Sequence, residues 1–255
     1  MKALKFKLSG DTAFFKKPDV NSYVYFTYGN IHKVALLGII GAILGLPGYG
    51  FQEKEETYPQ FYEKLRNIKV SILPENENGV IVKKIQVFNN SVGYASKEEG
   101  GNLIVKEQWL EKPRWVIYIL LENEEIYHQI EESFTNYSFK YIPYLGKNDH
   151  YANISDVQII TNDDIKIIDP ENIKKVDSLF LKENFVITNE EDIDYEDDME
   201  YEEIIKWKYE EQLPLELEPQ ANQYLKETFA QTNMTVKSKD NETIYRVDDK
   251  YLYFF

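Results

Sequence analysis

Acid–base chemistry in this sequence can come from three histidines and the residues beside them. His32 is followed by Lys33 and lies four residues after Tyr28, and His150 stands between Lys147 and Tyr151. Metal-free cleavage of RNA needs a base for the 2′-hydroxyl and an acid for the leaving oxygen, tasks that His, Tyr and Lys can divide. His32 with Lys33 is one candidate set, and His150 with Lys147 is the other. His32 has a second reading: it opens a long apolar run, and a neutral donor at a helix N-terminus suits phosphate. His128 falls on a helix surface, apart from both.

Binding chemistry is more widely spread. Lys5, Lys7, Lys16, Lys17 and Lys33 crowd the first 37 residues, where Asp11 and Asp19 are the acids. Each lysine can neutralise a phosphate or belong to a solvated basic face. Tyr23, Tyr25 and Tyr28 can stack bases, at roughly 1–3 kcal/mol each, or simply cover a sheet. Gly146-Lys147 can form an amide cradle with a cationic anchor, or a plain turn. Glu190–Glu203 packs ten acids into fourteen residues. It lacks the regular spacing and turn glycine of a Ca²⁺ loop and reads as a solvated face, so no metal or cofactor is expected. P-loop, dinucleotide and hydrolase-elbow patterns are missing from the sequence.

The bulk numbers bound these readings. With 255 residues, 43% hydrophobic and 15% aromatic, the composition is globular. The absence of cysteine excludes disulfides and thiolate metal sites and suits a reducing, cytoplasmic setting. The net charge of −15 is unevenly placed: residues 1–150 hold 18 Lys+Arg and 18 Asp+Glu, residues 151–255 hold 11 and 26. A polyanion can therefore meet the first part while the acidic part faces elsewhere. The apolar run Val34–Leu46 is 13 residues, short of the ~20 that span a bilayer, so no membrane role is expected.

Several elements must position these groups. Ala3–Ser9 alternates Leu4, Phe6 and Leu8 with Lys5, Lys7 and Ser9, which is strand period. Residues 11–31 lack a sustained period and read as a long ordered loop. The run from His32 to Gly48 is a helix whose Gly38, Gly41, Gly45 and Gly48 fall along one side. Glycine within a helix costs roughly 0.5–1 kcal/mol relative to alanine, so the stripe is expected to lie against a sheet or a partner chain. Glu53–Asn67 holds a short amphipathic helix. Ile68–Leu73 and Val80–Phe88 read as strands joined by the Asn76–Gly79 turn, and 89–113 as a projecting hairpin. Arg114–Leu121 reads as a central strand, Glu122–Asn136 as a helix, and Phe139–Leu145 and Asp156–Ile160 as further strand. The order strand, helix, strand, strand, helix, strand over 1–160 is the ferredoxin-like one of RNA-recognition modules, so the fold class is α+β. Residues 161–255 form a smaller, acidic, β-rich region, closed by a Thr243–Phe255 hairpin that turns at Asp248-Asp249.

Two segments resemble a known family. Leu4-Lys5-Phe6-Lys7-Leu8-Ser9-Gly10, with Ala13-Phe14-Phe15 and then Leu37-Gly38-Ile39-Ile40-Gly41-Ala42-Ile43-Leu44-Gly45, is similar to the N-terminal signature of the CRISPR-associated family five, of the RAMP superfamily. Tyr144-Leu145-Gly146-Lys147-Asn148-Asp149-His150-Tyr151-Ala152-Asn153-Ile154-Ser155-Asp156-Val157 is similar to the loop and strand that end that family's ferredoxin-like domain. The resemblance covers about 1–160 and is nearest the type I-B group. It implies a non-catalytic, crRNA-binding subunit of a type I interference complex, Cascade, in antiviral defence. Such a subunit caps the 5′ handle of the guide, contacts the backbone and large subunits, and meets target DNA only through the guide. The hairpin at 89–113 then matches the family's thumb, with Lys97, Lys106 and Trp109 toward the guide or Trp109 in the hairpin-base core. In type I-C this subunit itself cuts precursor crRNA, which keeps a metal-independent endoribonuclease as an alternative. An acidic protein-interaction module without RNA binding is the second alternative.

Overall fold

The computed structural model describes residues 1–19, 23–188, 205–239 and 242–255. The acidic run Glu190–Glu203 lies outside the described residues. In chain order the first half holds β1 (Lys2–Ser9), β2 (Thr12–Ala13), α1 (Lys33–Leu44), α2 (Gln60–Leu65), β3 (Val70–Pro74), β4 (Lys83–Asn89), β5 (Ile104–Glu111), β6 (Arg114–Leu121), α3 (Glu125–Thr135) and β7 (Asn153–Ile160). Among the described residues the second half holds the strands β8 (Ile165–Ile168), β9 (Phe180–Leu181), β10 (Phe185–Thr188), β11 (Lys208–Leu217), β12 (Tyr224–Thr232), β13 (Thr235–Ser238), β14 (Ile244–Val247) and β15 (Lys250–Tyr253), with short 3-10 turns between some of them.

The main sheet has the order β3–β6–β1–β7, every neighbouring pair antiparallel. Its two central strands explain their own sequences. In β6, Trp115, Ile117, Ile119 and Leu121 enter the core beneath the helices, while Val116, Tyr118 and Leu120 enter a second core on the opposite face. A strand buried on both faces reads as an unbroken apolar run. In β1, Leu4, Phe6 and Leu8 face the helical side, where Phe6 meets Phe134 of α3 at 4.6 Å between ring centroids. Burying side chains of this size contributes roughly 1.5–3 kcal/mol each.

The β-rich second half is packed onto the first. Ile165, Val247 and Leu252 from β8, β14 and β15 cover the second face of the main sheet, and Leu179, Leu213, Leu217 and Phe229 join the helical-side core. The closing hairpin is present as β14–β15, with Asp248 at φ 54° in its turn. Pro214 sits within β11 where the register with β12 shifts, the sheet position at which proline's missing donor is tolerated.

Three expectations are corrected. Ile68–Leu73 and Val80–Phe88 do not pair with each other: β3 pairs with β6, and β4 pairs with β5. β3 is buried along nearly its whole length and needs an apolar partner, whereas β4 exposes every second residue, Ile85 and Val87 among them, and matches the amphipathic β5. The projecting hairpin therefore begins at Lys83 rather than near 89. Finally, Phe139–Leu145 forms no strand among the described residues.

The glycine stripe is also corrected. His32 is the N-cap of α1 and Gly45 its C-cap, at φ 76° in the left-handed region that glycine occupies at little cost. Gly41 is the close-packed position: a Cβ there would stand 2.6 Å from the Phe61 Cβ of α2. Gly38 meets Phe61 only at 3.9 Å, and Gly48 lies beyond the helix with nothing within 4 Å. The small side of α1 thus lies against Phe61 of α2 at Gly41 and against Lys140 at Gly45, and otherwise borders a cleft. Among the described residues no helix is long and apolar enough to cross a membrane.

Candidate functional site

The cleft has a volume of about 1160 Å³, above the ~300–1,000 Å³ usual for small-molecule pockets. Its floor is the small side of α1, with Ala35, Gly38, Ala42 and Gly45. One wall is the inner face of the β4–β5 hairpin, with Leu103, Val105 and Glu107. The loop after β2, with Phe14, Phe15, Lys16 and Tyr25, makes a second wall. Tyr141, Tyr144, Gly146 and Lys147 close the end. Aromatic side chains around the rim remain open to solvent: Tyr25 is 38% exposed, Tyr144 44%, Tyr49 50% and Phe51 80%.

Each wall follows from local sequence. The period of two along β5 sends Val105, Glu107 and Trp109 to one face and Lys106 to the other. The loop after β2 is tied to β5 by Tyr25, whose N–H donates to Lys106 O at 2.9 Å and whose carbonyl accepts from Gln108 N at 2.9 Å. Gly146 holds φ 92°, and a Cβ there would fall into the Phe14 carbonyl. The two loops also share the Phe14 N–H to Leu145 O bond of 3.0 Å. The Gly146 turn is therefore a backbone clasp between loops.

The expected site residues divide. Lys16 is exposed in the cleft, with its ammonium 4.0 Å from the centroid of the Tyr25 ring. Lys147 points into the same cleft and bridges Glu107 at 3.1 Å. Tyr23 is 81% exposed, outside the cleft lining. Lys97 lies at the exposed tip region between β4 and β5, and Lys106 is exposed on the outer hairpin face. Trp109 is half-buried at the hairpin base, its indole N–H donating to Glu107 Oε2 at 2.8 Å.

Other residues are placed elsewhere. Lys5 and Lys7 lie on the sheet face away from α1 and are ion-paired, Lys5 with Asp248 at 3.0 Å and Lys7 with Asp156 at 2.9 Å. They cannot share a site with the cleft, because the sheet separates them. Lys17 pairs with Glu211 of β11 at 2.9 Å, so the second half neutralises it. Tyr28 is 1% exposed and offers no face for stacking; burial pushes its hydroxyl pKa up. Lys33 is buried on the far side of α1, near Glu216, and burial lowers its pKa to about 8.

Both candidate histidines are enclosed. His32 sits among Phe15, Tyr28 and Tyr224 at 6.1, 5.2 and 5.2 Å between centroids. Its Nδ1 accepts from Ala35 N at 3.2 Å, and burial lowers its pKa to about 3. His32 and Lys33 therefore do not meet at one reacting point. His150 is 2% exposed and packs edge-on to Trp109 at 4.6 Å. Its Nδ1 shares a 2.6 Å hydrogen bond with Thr12 Oγ1, its Nε2 has no partner among the described residues, and burial, helped by Lys147, lowers its pKa. His128 is exposed on α3.

Sequence reasoning missed Glu107, Tyr49, Phe51, Tyr141 and Tyr144. The alternation of Val105, Glu107 and Trp109 carried the signal for Glu107. The aromatic residues flanking Gly48 and Pro143 carried the rest.

No protein-family model matches the chain, and no curated protein matches its sequence. Among solved structures, the chain is similar to one from a CRISPR RNA-guided surveillance complex. The TM-score is 0.52 and the identity 9%, covering 94% of this chain and 92% of that one. A CRISPR protein from Archaeoglobus fulgidus aligns over 99% of this chain and 98% of its own, at 9% identity and a TM-score of 0.49. The first likeness shows a shared fold over nearly the whole length.

Proposed function

We propose that this chain is an RNA-binding structural subunit of a CRISPR interference complex, of the CRISPR-associated family five, and that its cleft holds one end of the guide. The observation that carries the reading is the cleft: a floor of small residues, a rim of exposed aromatic rings, and Lys16 and Lys147 at its edges. Exposed rings beside cations are what single-stranded nucleic acid needs, since every base has a face to stack and every nucleotide a phosphate to neutralise. The strand order β3–β6–β1–β7 with α1 and α3 between its strands supports a ferredoxin-like domain, the fold of RNA-recognition modules. The likeness to a chain of a surveillance complex and the two family-like segments point the same way. The backbone and large subunits are the expected protein partners, and target DNA is reached through the guide.

The role we propose is binding without catalysis. His32 spends its Nδ1 on capping α1, and His150 is wrapped by Thr12 and Trp109. The test is co-purification from the native host followed by RNA extraction: a short guide with a uniform 5′ end is expected, and its absence overturns the reading. Incubation with repeat RNA in EDTA is expected to leave the RNA intact.

A further inference from the structure

The cleft contains one group that a phosphate-binding groove should not have. Glu107 is 5% exposed, lies in the cleft wall, and carries its carboxylate beside the same surface that Lys16 and Lys147 offer to an anion. Lys147 Nζ reaches Oε1 at 3.1 Å and Oε2 at 3.3 Å, and the Trp109 indole N–H reaches Oε2 at 2.8 Å. A buried carboxylate repels a phosphate but accepts hydrogen bonds from an amine-bearing base edge. The charges therefore orient a nucleotide, with phosphate outward toward Lys16 and base inward toward Glu107.

The geometry points to Glu107 as the group that reads the inserted base, and to guanine as the base read. This inference rests on the RNA-binding reading above. A carboxylate offers two oxygens and about four acceptor sites; Trp109 and Lys147 fill three of them, and the Lys147 donor now at Oε2 frees a second site when it turns away toward the base. Guanine presents two adjacent donors, N1–H and N2–H, beside the O6 acceptor. The carboxylate can take both donors, while the Lys147 ammonium, with three donors of its own, can turn one toward O6. Adenine, cytosine and uracil each place a single N–H donor group beside an acceptor and leave one half of the carboxylate unmatched. Flat contacts for the ring come from Tyr25 and Tyr144, which line the same cleft.

The probe is a set of short oligouridines that carry one guanosine, inosine, adenosine or cytidine, measured by fluorescence anisotropy against the full chain. The expected result is about tenfold tighter binding of the guanosine oligomer than of the others, with inosine, which lacks the N2 amine, in between. Glu107→Gln, which keeps the shape and the Trp109 acceptor, is expected to erase that preference. Lys147→Gln breaks the same ion pair but keeps the carboxylate; it is expected to weaken binding of every oligomer and to reduce the guanosine preference without erasing it. A purely structural ion pair predicts instead that both variants behave alike. Equal affinity of the wild type for all the oligomers overturns the base reading and leaves RNA binding standing. Failure of every oligomer to bind overturns both. The inosine comparison uses wild-type protein, so it decides the matter even where Glu107→Gln does not fold.

Discussion

Acid should destabilise this protein through His32, and the size of the effect follows from the structure. The imidazole is enclosed by Phe15, Tyr28 and Tyr224, and its pKa falls from 6.5 to about 3. With the folded pKa below the unfolded one, stability is complete about a pH unit above 6.5 and declines as pH falls through it, because only the unfolded chain takes up the proton. Because half of the unfolded imidazoles already carry the proton at pH 6.5, the loss between pH 7.5 and pH 5 is about 2 kcal/mol, of which about 1.6 kcal/mol falls below pH 6.5. Lys33, with a pKa lowered to about 8, is charged in both states over this window and adds no slope. His150 and the carboxylates add slopes of their own, so the measurement is a difference. His32→Asn keeps an N-cap acceptor for Ala35 N but cannot titrate. Urea unfolding of both proteins at pH 7.5, 6.5 and 5 should show the wild type losing about 1.6 kcal/mol more than the variant across the lower interval. The variant's own packing cost shifts its curve without changing the slope. Parallel pH curves would refute the argument that His32 is held neutral.

Further outcomes follow from the cleft and its floor. Gly41→Ala puts a methyl group against Phe61 and should cost about 1–3 kcal/mol, while Gly48→Ala, with open space around it, should leave the urea midpoint unchanged. Tyr25→Ala should weaken single-stranded RNA binding by roughly 5- to 150-fold, the equivalent of 1–3 kcal/mol for one stacked base. Lys16→Ala should lower affinity for all sequences alike and reduce the slope of log K against log salt by about 0.7, the single-strand value for one phosphate. Lys7→Ala, on the opposite side of the sheet, should change neither quantity.

Much of the architecture was legible because it is local. The alternation in Leu4, Phe6 and Leu8 and the unbroken run of β6 announce a half-buried and a fully buried strand. The apolar run after His32 announces α1, and the Asp248-Asp249 turn announces the last hairpin. Periodicity states which face of an element is apolar, and that property belongs to the element alone. Residue type and spacing also led to His32, His150, Lys16 and the Gly146 turn, which the structure places in or beside one cleft.

What the tertiary structure decided is pairing and cover, which depend on segments far away in the chain. Strand period could not say that β3 would pair with β6 and β4 with β5, since both choices keep the same faces inward. It could not separate Tyr25, left open at the rim, from Tyr28, buried against a His32 that Tyr224, from a strand nearly two hundred residues later, also encloses. Lys5 and Lys17 read like Lys16 until Asp248 and Glu211 arrive to neutralise them. Four glycines at helical spacing became one contact with Phe61, one helix cap and an open floor. Composition and spacing determined which elements this chain forms and where its cations and rings lie along it. Only folding decided which of them face the same empty space, because burial and ion pairing are properties of two surfaces that meet.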